Sequence, residues 1–211
     1  MTYGELYQRV RRQLNDNTVS PRWPDSALRM YAGTVLRRMA EVAPASMASV
    51  EELTLAEGAL QAVPGHVVRV LGAVKRSSDG RSIRNVSPEV MDTVLPFWRD
   101  APQSEDTTDC VYDASVPTEF SVFPPAANGT QIWMRVSLRA VDPESGEDEI
   151  PANQINEMAL FHGVLALCFA EDTDTGDRAL SMQHWGQFYE ALGVQQVVDA
   201  ENPPAAKEDR G

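Results

Sequence analysis

The chain has 211 residues, of which 43% are hydrophobic and 23% charged. That balance belongs to a folded globular protein of one domain, or of one domain with a sizeable insertion, and excludes a disordered or fibrous chain. The formal net charge of −13 excludes a protein that seeks nucleic-acid phosphates through its overall field, because that affinity comes from clustered Lys and Arg.

The N-terminus reads MTYGELYQRVRRQL. It lacks an apolar h-region and a small-residue cleavage site, so no secretory signal is expected. A first helix is predicted from about Thr2 to Leu14, with Tyr3, Leu6, Tyr7, Val10 and Leu14 on one face. Asn15-Asp16-Asn17 ends it, since these side chains compete for backbone hydrogen bonds. A second helix begins near Asp25, carries Leu28, Tyr31, Ala32, Val35, Leu36 and Met39 at helical spacing, and stops before Pro44. The short connection predicts an antiparallel pair. Arg9, Arg11, Arg12, Arg22, Arg29, Arg37 and Arg38 make this end basic, whereas the chain after residue 100 is acidic. Such asymmetry suits head-to-tail docking between copies or with a charged partner. It also suits two ordinary solvated faces, and charge by itself favours that plainer reading.

A strand-rich middle follows, with candidates at 50–55, 66–74, 110–112, 120–123 and 130–141. The last is clearest, because Ile132, Met134, Val136 and Leu138 alternate with Trp133, Arg135, Ser137 and Arg139. Glu57-Gly58, Pro64-Gly65, Asp79-Gly80, Pro124-Pro125 and Asn128-Gly129 are read as turns. Ser87-Pro88-Glu89 opens one short helix with an N-cap, a proline at N1 and an acid in the first turn.

Two helices close the fold. The stretch from Pro151 to Ala170 is apolar on two sides, with Phe161 and Val164 on the second, and must be covered on both; a neighbouring subunit could supply some of the cover. Its apolar run from Met158 to Ala170, broken by His162, is too short to span a bilayer. The final helix spans about Thr175 to Leu192, with Gly193 as its C′ residue. Beyond it, Val194, Val197 and Val198 precede a polar stretch containing Pro203 and Pro204. Two readings stand: a frayed terminus, or a segment that orders when it docks.

The search for chemistry ends without a site. His66, His162 and His184 match no metal-ligand spacing. His162 and His184 read as satisfied core or interface residues, and His66 as an exposed one. Asp172 to Asp177 fails the calcium-loop template at the fifth, sixth and twelfth positions and reads as an interhelix turn that caps the last helix. Glu147-Asp148-Glu149 reads as a solvated run. Phosphate-binding glycine motifs and a GxSxG setting are lacking. The four tryptophans read as packing rather than base-stacking residues. Cys110 and Cys168 lie far apart and read as two buried free thiols in preference to a disulfide. No catalytic residue, cofactor or metal is expected.

The order of elements and several short stretches resemble the head-to-tail adaptor, or connector, proteins of short-tailed phages. The stretches are Arg22-Trp23-Pro24-Asp25, Tyr31 to Arg38, Val67 to Leu71, Ile83 to Val86 and Ser87 to Trp98. The most specific is Val111-Tyr112-Asp113 followed by Pro117-Thr118-Glu119-Phe120-Ser121-Val122-Phe123-Pro124-Pro125. His184 to Tyr189 lies in the second closing helix, and the Pro-containing C-terminal extension departs from the pattern.

The resemblance implies an α+β fold: a hub of about four helices, an inserted antiparallel β-rich subdomain and an extended tail. The segments are 1–45 and 151–193 for the helical pairs, 46–150 for the insertion and 194–211 for the tail. It implies a virion protein at the head-to-tail junction, assembled in the host cytoplasm. Its partners would be the portal protein, the tail nozzle, tail fibre proteins and copies of itself in a dodecameric ring. DNA would pass through the channel without sequence-specific binding, and no membrane is involved. Val194, Val197, Val198, Pro203 and Pro204 are the expected portal contacts, and Arg9, Arg12, Arg37, Arg38, Phe161 and Val164 the expected subunit contacts. The alternatives are another tail or neck component, such as a nozzle or fibre-attachment subunit, and a small enzyme or ligand-binding protein.

Overall fold

A computed structural model describes residues 1–113, 115–150, 154–171 and 177–194. The elements in chain order are α1 (Tyr3–Gln13), α2 (Asp25–Val42), β1 (Ala48–Thr54), β2 (Gly58–Ala62), β3 (Val67–Arg76) and β4 (Arg84–Val86). They continue with α3 (Pro88–Val94), β5 (Asp109–Val111), β6 (Glu119–Ala126), β7 (Gln131–Leu138), α4 (Gln154–Glu171) and α5 (Arg178–Ala191). The class is α+β, as expected. The chain divides into two compact units, one of residues Met1–Ala43 with Val141–Gly211 and one of Pro44–Ala140.

In the helical unit, the predicted apolar stripe of α1 is the buried one: Tyr3, Leu6, Tyr7 and Val10. Asn15, at φ 53°, turns the chain out of the helix. Asp16 then fixes the connection, its two carboxylate oxygens accepting from Arg22 N (2.8 Å) and Trp23 N (2.9 Å). Arg11 adds a bond to Trp23 O at 3.0 Å and an ion pair to Asp25 at 2.5 Å. The expected α1–α2 contact forms, yet α2 lies more extensively against α4. Gly163 explains why: a Cβ there would come within 2.4 Å of Val35 Cγ1, so only glycine lets α2 and α4 approach this closely. Helices α1, α2 and α5 all pack on α4. The chain itself therefore covers much of this doubly apolar helix, burying Ala159, Leu160, Val164, Leu165, Ala166 and Cys168. Asp177 caps α5 by accepting from Leu180 N at 3.0 Å, and Gly193 takes φ 66° just past its end.

In the other unit, one sheet has the order β1-β7-β3 and the second β2-β6-β5-β4. The alternation read in β7 is real, since Ile132, Met134 and Val136 are all fully buried. They share one core with Leu53, Val70, Phe120 and Val122, drawn from both sheets. The strands are paired antiparallel except for β4 and β5, which run parallel.

Three details differ from the sequence reading. The five-residue β2 and three-residue β4 are too short for period two to declare them. Pro124-Pro125 is not a turn; β6 runs through both residues, with a cis Phe123–Pro124 bond. The prolines are accommodated where the β2–β6 register shifts, so no ladder N–H is demanded of them. Ser87 stands at the N-cap of α3 but its side chain makes no cap bond, and α3 ends at Val94, before Trp98.

Candidate interaction surfaces

The N-terminus of α1 is built into the helical unit from both directions. Thr2 and Glu5 form a reciprocal capping box, with Glu5 N donating to Thr2 Oγ1 at 3.3 Å and Thr2 N to Glu5 Oε2 at 2.9 Å. The remaining orphan donors go to the loop before α4: Tyr3 N to Asp148 O at 3.1 Å and Gly4 N to Gly146 O at 2.6 Å. The Asp148 carboxylate shapes that loop by accepting from Glu144 N and Ser145 N, each at 2.8 Å. These N–H bonds hold its carboxyl below the usual carboxylate range. The backbone of this loop and the Asp148 carboxylate are thus docked, while Glu147 and Glu149 stay exposed, as a solvated run would have them. The sequence could not show this, because its partner, the start of α1, lies at the far end of the chain.

The charge asymmetry is partly neutralised inside this same unit. Arg37 pairs with Asp142 at 2.5 Å, and the N-terminal ammonium with Glu157 at 3.2 Å. Of the residues expected at subunit contacts, Arg9 lies over the Phe161 ring at 4.9 Å and near the sulfurs of Met1 and Met158. Arg38 lies over Trp185 at 5.2 Å and donates from Nε to the Tyr189 hydroxyl at 2.9 Å. Arg12 is exposed, and Arg37 keeps half of its side chain in solvent. Phe161 is half-buried, whereas Val164 is fully covered by the chain and has no surface left for a neighbour.

The three histidines separate. His66 is exposed and its Nε2 lies 2.8 Å from Glu51 Oε2. His162 and His184 face each other across α4 and α5, with their Nδ1 atoms 3.1 Å apart. Phe161 meets His162 edge-on at 5.2 Å, and Phe169 stacks on His184 at 5.4 Å. Burial pushes both imidazoles below their ordinary value; for His162 the neighbouring His184 and Arg9 add to it. Sequence separation hid this pair, although both rings sit on the faces that the helical period turns together.

The β-rich unit leaves a set of apolar side chains in solvent around α3: Val90, Val94, Leu95 and Phe97, the last 84% exposed and at φ 69°. Beneath them Trp98 is buried, with Nε1 donating to Asp92 at 2.7 Å, and packs with Met91 and Val111. Cys110 and Cys168 are both buried free thiols, raised by burial to about 12. Among the described residues no three His, Cys, Asp or Glu side chains gather as metal ligands, and no helix is long and apolar enough to cross a membrane. Of the expected portal contacts, Val194 is described, half-buried, with its N–H bonded to Tyr189 O at 3.1 Å. Val197, Val198, Pro203 and Pro204, like most of the turn from Asp172, lie outside the described residues.

Comparison with curated proteins returns no match. Comparison with family models matches residues 1–208 to the SU10 adaptor protein. That span takes in the docked N-terminal helix, the β-rich unit and both closing helices, and the chain therefore belongs to the SU10 adaptor protein family, a family of phage adaptor proteins that are components of the virion.

Proposed function

We propose that this adaptor works at the head-to-tail junction, as one subunit of a dodecameric ring that joins the portal to the tail and leaves a channel for DNA. The observation that carries the reading is the family match over nearly the whole chain. The surface chemistry is in keeping with it. A cyclic ring needs two different complementary faces on each subunit. The helical unit offers arginine and aromatic groups such as Arg9, Phe161 and Arg12, and the β-rich unit offers the apolar group around Phe97. The adaptor acts as an assembly protein without turnover. Residues 194–211 form its portal-binding segment, with Val194, Val197, Val198, Pro203 and Pro204 as anchors. Nozzle and fibre proteins meet its other faces.

Light scattering of the purified chain, alone and mixed with a dodecameric portal, tests this reading. A complex with equal numbers of adaptor and portal subunits is expected. A chain that stays monomeric and never joins the portal overturns it, and labelling of virions at the tail tip instead of the neck would point to a nozzle or fibre-attachment role.

A further inference from the structure

Two imidazole nitrogens 3.1 Å apart cannot both present lone pairs to each other, nor can both present protons. One must donate and the other accept. Among the described residues no third His, Cys, Asp or Glu side chain joins them as a metal ligand. The rings are nearly parallel, at 22°, and their flanks are held by Phe161 and Phe169. We propose that His162 and His184 form a proton-counting latch between α4 and α5, closed by one shared Nδ1 proton and opened when both facing nitrogens carry one.

The count follows from valence. Two neutral rings have one proton between their Nδ1 atoms and keep the bond. Adding one proton to the pair leaves that bond in place and makes it charge-assisted. Adding a second puts two N–H groups and two positive charges face to face, and the rings must part. The steps belong to the pair and not to either ring.

The surroundings make the second step costly. From α1, Arg9 stands over the adjoining Phe161 and opposes charge on His162. From α2, Arg38 stands over Trp185, the residue after His184. The two acids of α4 are already engaged: Glu171 accepts from Tyr31, and Glu157 pairs with the N-terminal ammonium. Within α5, Gln187 hydrogen-bonds His184 and partly offsets the effect of its burial. Opening therefore falls below the ordinary imidazole value of about 6.5. It separates α4 from α5, the helix that leads into residue 194.

The test uses the full-length chain. Imidazole nitrogen NMR against pH should show the two rings titrating in linked steps, the second displaced to lower pH. Amide exchange of residues 178–191, corrected for intrinsic rate, should quicken by about tenfold per pH unit across that second step. It should stay flat in the double variant His162→Gln, His184→Gln, whose amides pair without titrating. Two rings that titrate independently near the ordinary value overturn the latch. So does equal acid opening in wild type and variant. Should the variant not fold, the wild-type titration alone decides.

Discussion

The carbonyl oxygen of Gly146 accepts a 2.6 Å hydrogen bond from the backbone N–H of Gly4. At the same contact a Cβ on Gly4 would lie 3.0 Å from that oxygen. The loop that leads towards α4 therefore serves as the N-terminal cap of α1, and the two glycines let backbone meet backbone. Gly4→Ala should weaken this docking, even though alanine is the better helix former by about 1 kcal/mol. Faster amide exchange at Tyr3 and Gly4, with α2 unchanged, is the expected result.

Gly163 should be less forgiving. Its Cβ would meet Val35 at 2.4 and 2.9 Å and Phe188 at 3.2 Å, and both residues are fully buried. Valine is stiff at χ1. Gly163→Ala should therefore cost about 1–3 kcal/mol by overpacking, measured by denaturant unfolding. Gly33→Ala meets only the movable end of Asp142 and should cost less.

Asp148 gives the acid dependence of the docked loop. Its folded carboxyl lies below the usual range because Ser145 and Glu144 donate backbone N–H groups to it. Its contribution is full above the unfolded carboxylate value of about 3.9 and is lost as pH falls through the depressed folded value. The Ser145 amide resonance should track that loss. In Asp148→Asn the loop should already be loosened at neutral pH, and the acid-dependent change should vanish.

Arg38 holds α5 by its stem and plane as well as by its charge. Arg38→Ala should destabilise the helical unit by about 1–2 kcal/mol through the lost stacking on Trp185 and the lost bond to Tyr189. Arg38→Lys should recover little, because an ammonium cannot reproduce the planar contact. Thermal unfolding followed by far-ultraviolet circular dichroism checks both.

Removal of residues 195–211 should leave the helical unit folded, because α5 ends at Ala191 and is closed by Gly193. It should lower portal affinity at least tenfold. Equal portal binding by the shortened chain would remove the anchoring role given to this segment.

Helical periodicity alone exposed the cores of α1 and α2, and alternation exposed β7, because each signal repeats within one element. In α5 the apolar side read as Met182, Trp185, Phe188, Tyr189 and Leu192 is buried only at Phe188, with Ser181 and His184 completing the buried face and Met182 exposed. The short strands β2 and β4 repeat too little to be seen. Pro124-Pro125 misled because local turn preference says nothing of a register shift in the partner strand. The same limit hid the contacts that organise the surface. Gly4 with Gly146, Arg37 with Asp142 and His162 with His184 are each made by residues that sequence leaves far apart. Arg9 and Arg38 were singled out as arginines at a basic end, but their rings, Phe161 and Trp185, emerge only once the helices pack.

Cys110 and Cys168 have a practical consequence. One lies in each unit, both are buried, and neither is bonded to another cysteine. A thiol-reactive probe can reach either sulfur only when its own unit opens. The chain thus carries two internal clocks. Comparing their labelling rates, free and in an assembled particle, would show which half of the adaptor is held rigid by assembly, with no residue altered.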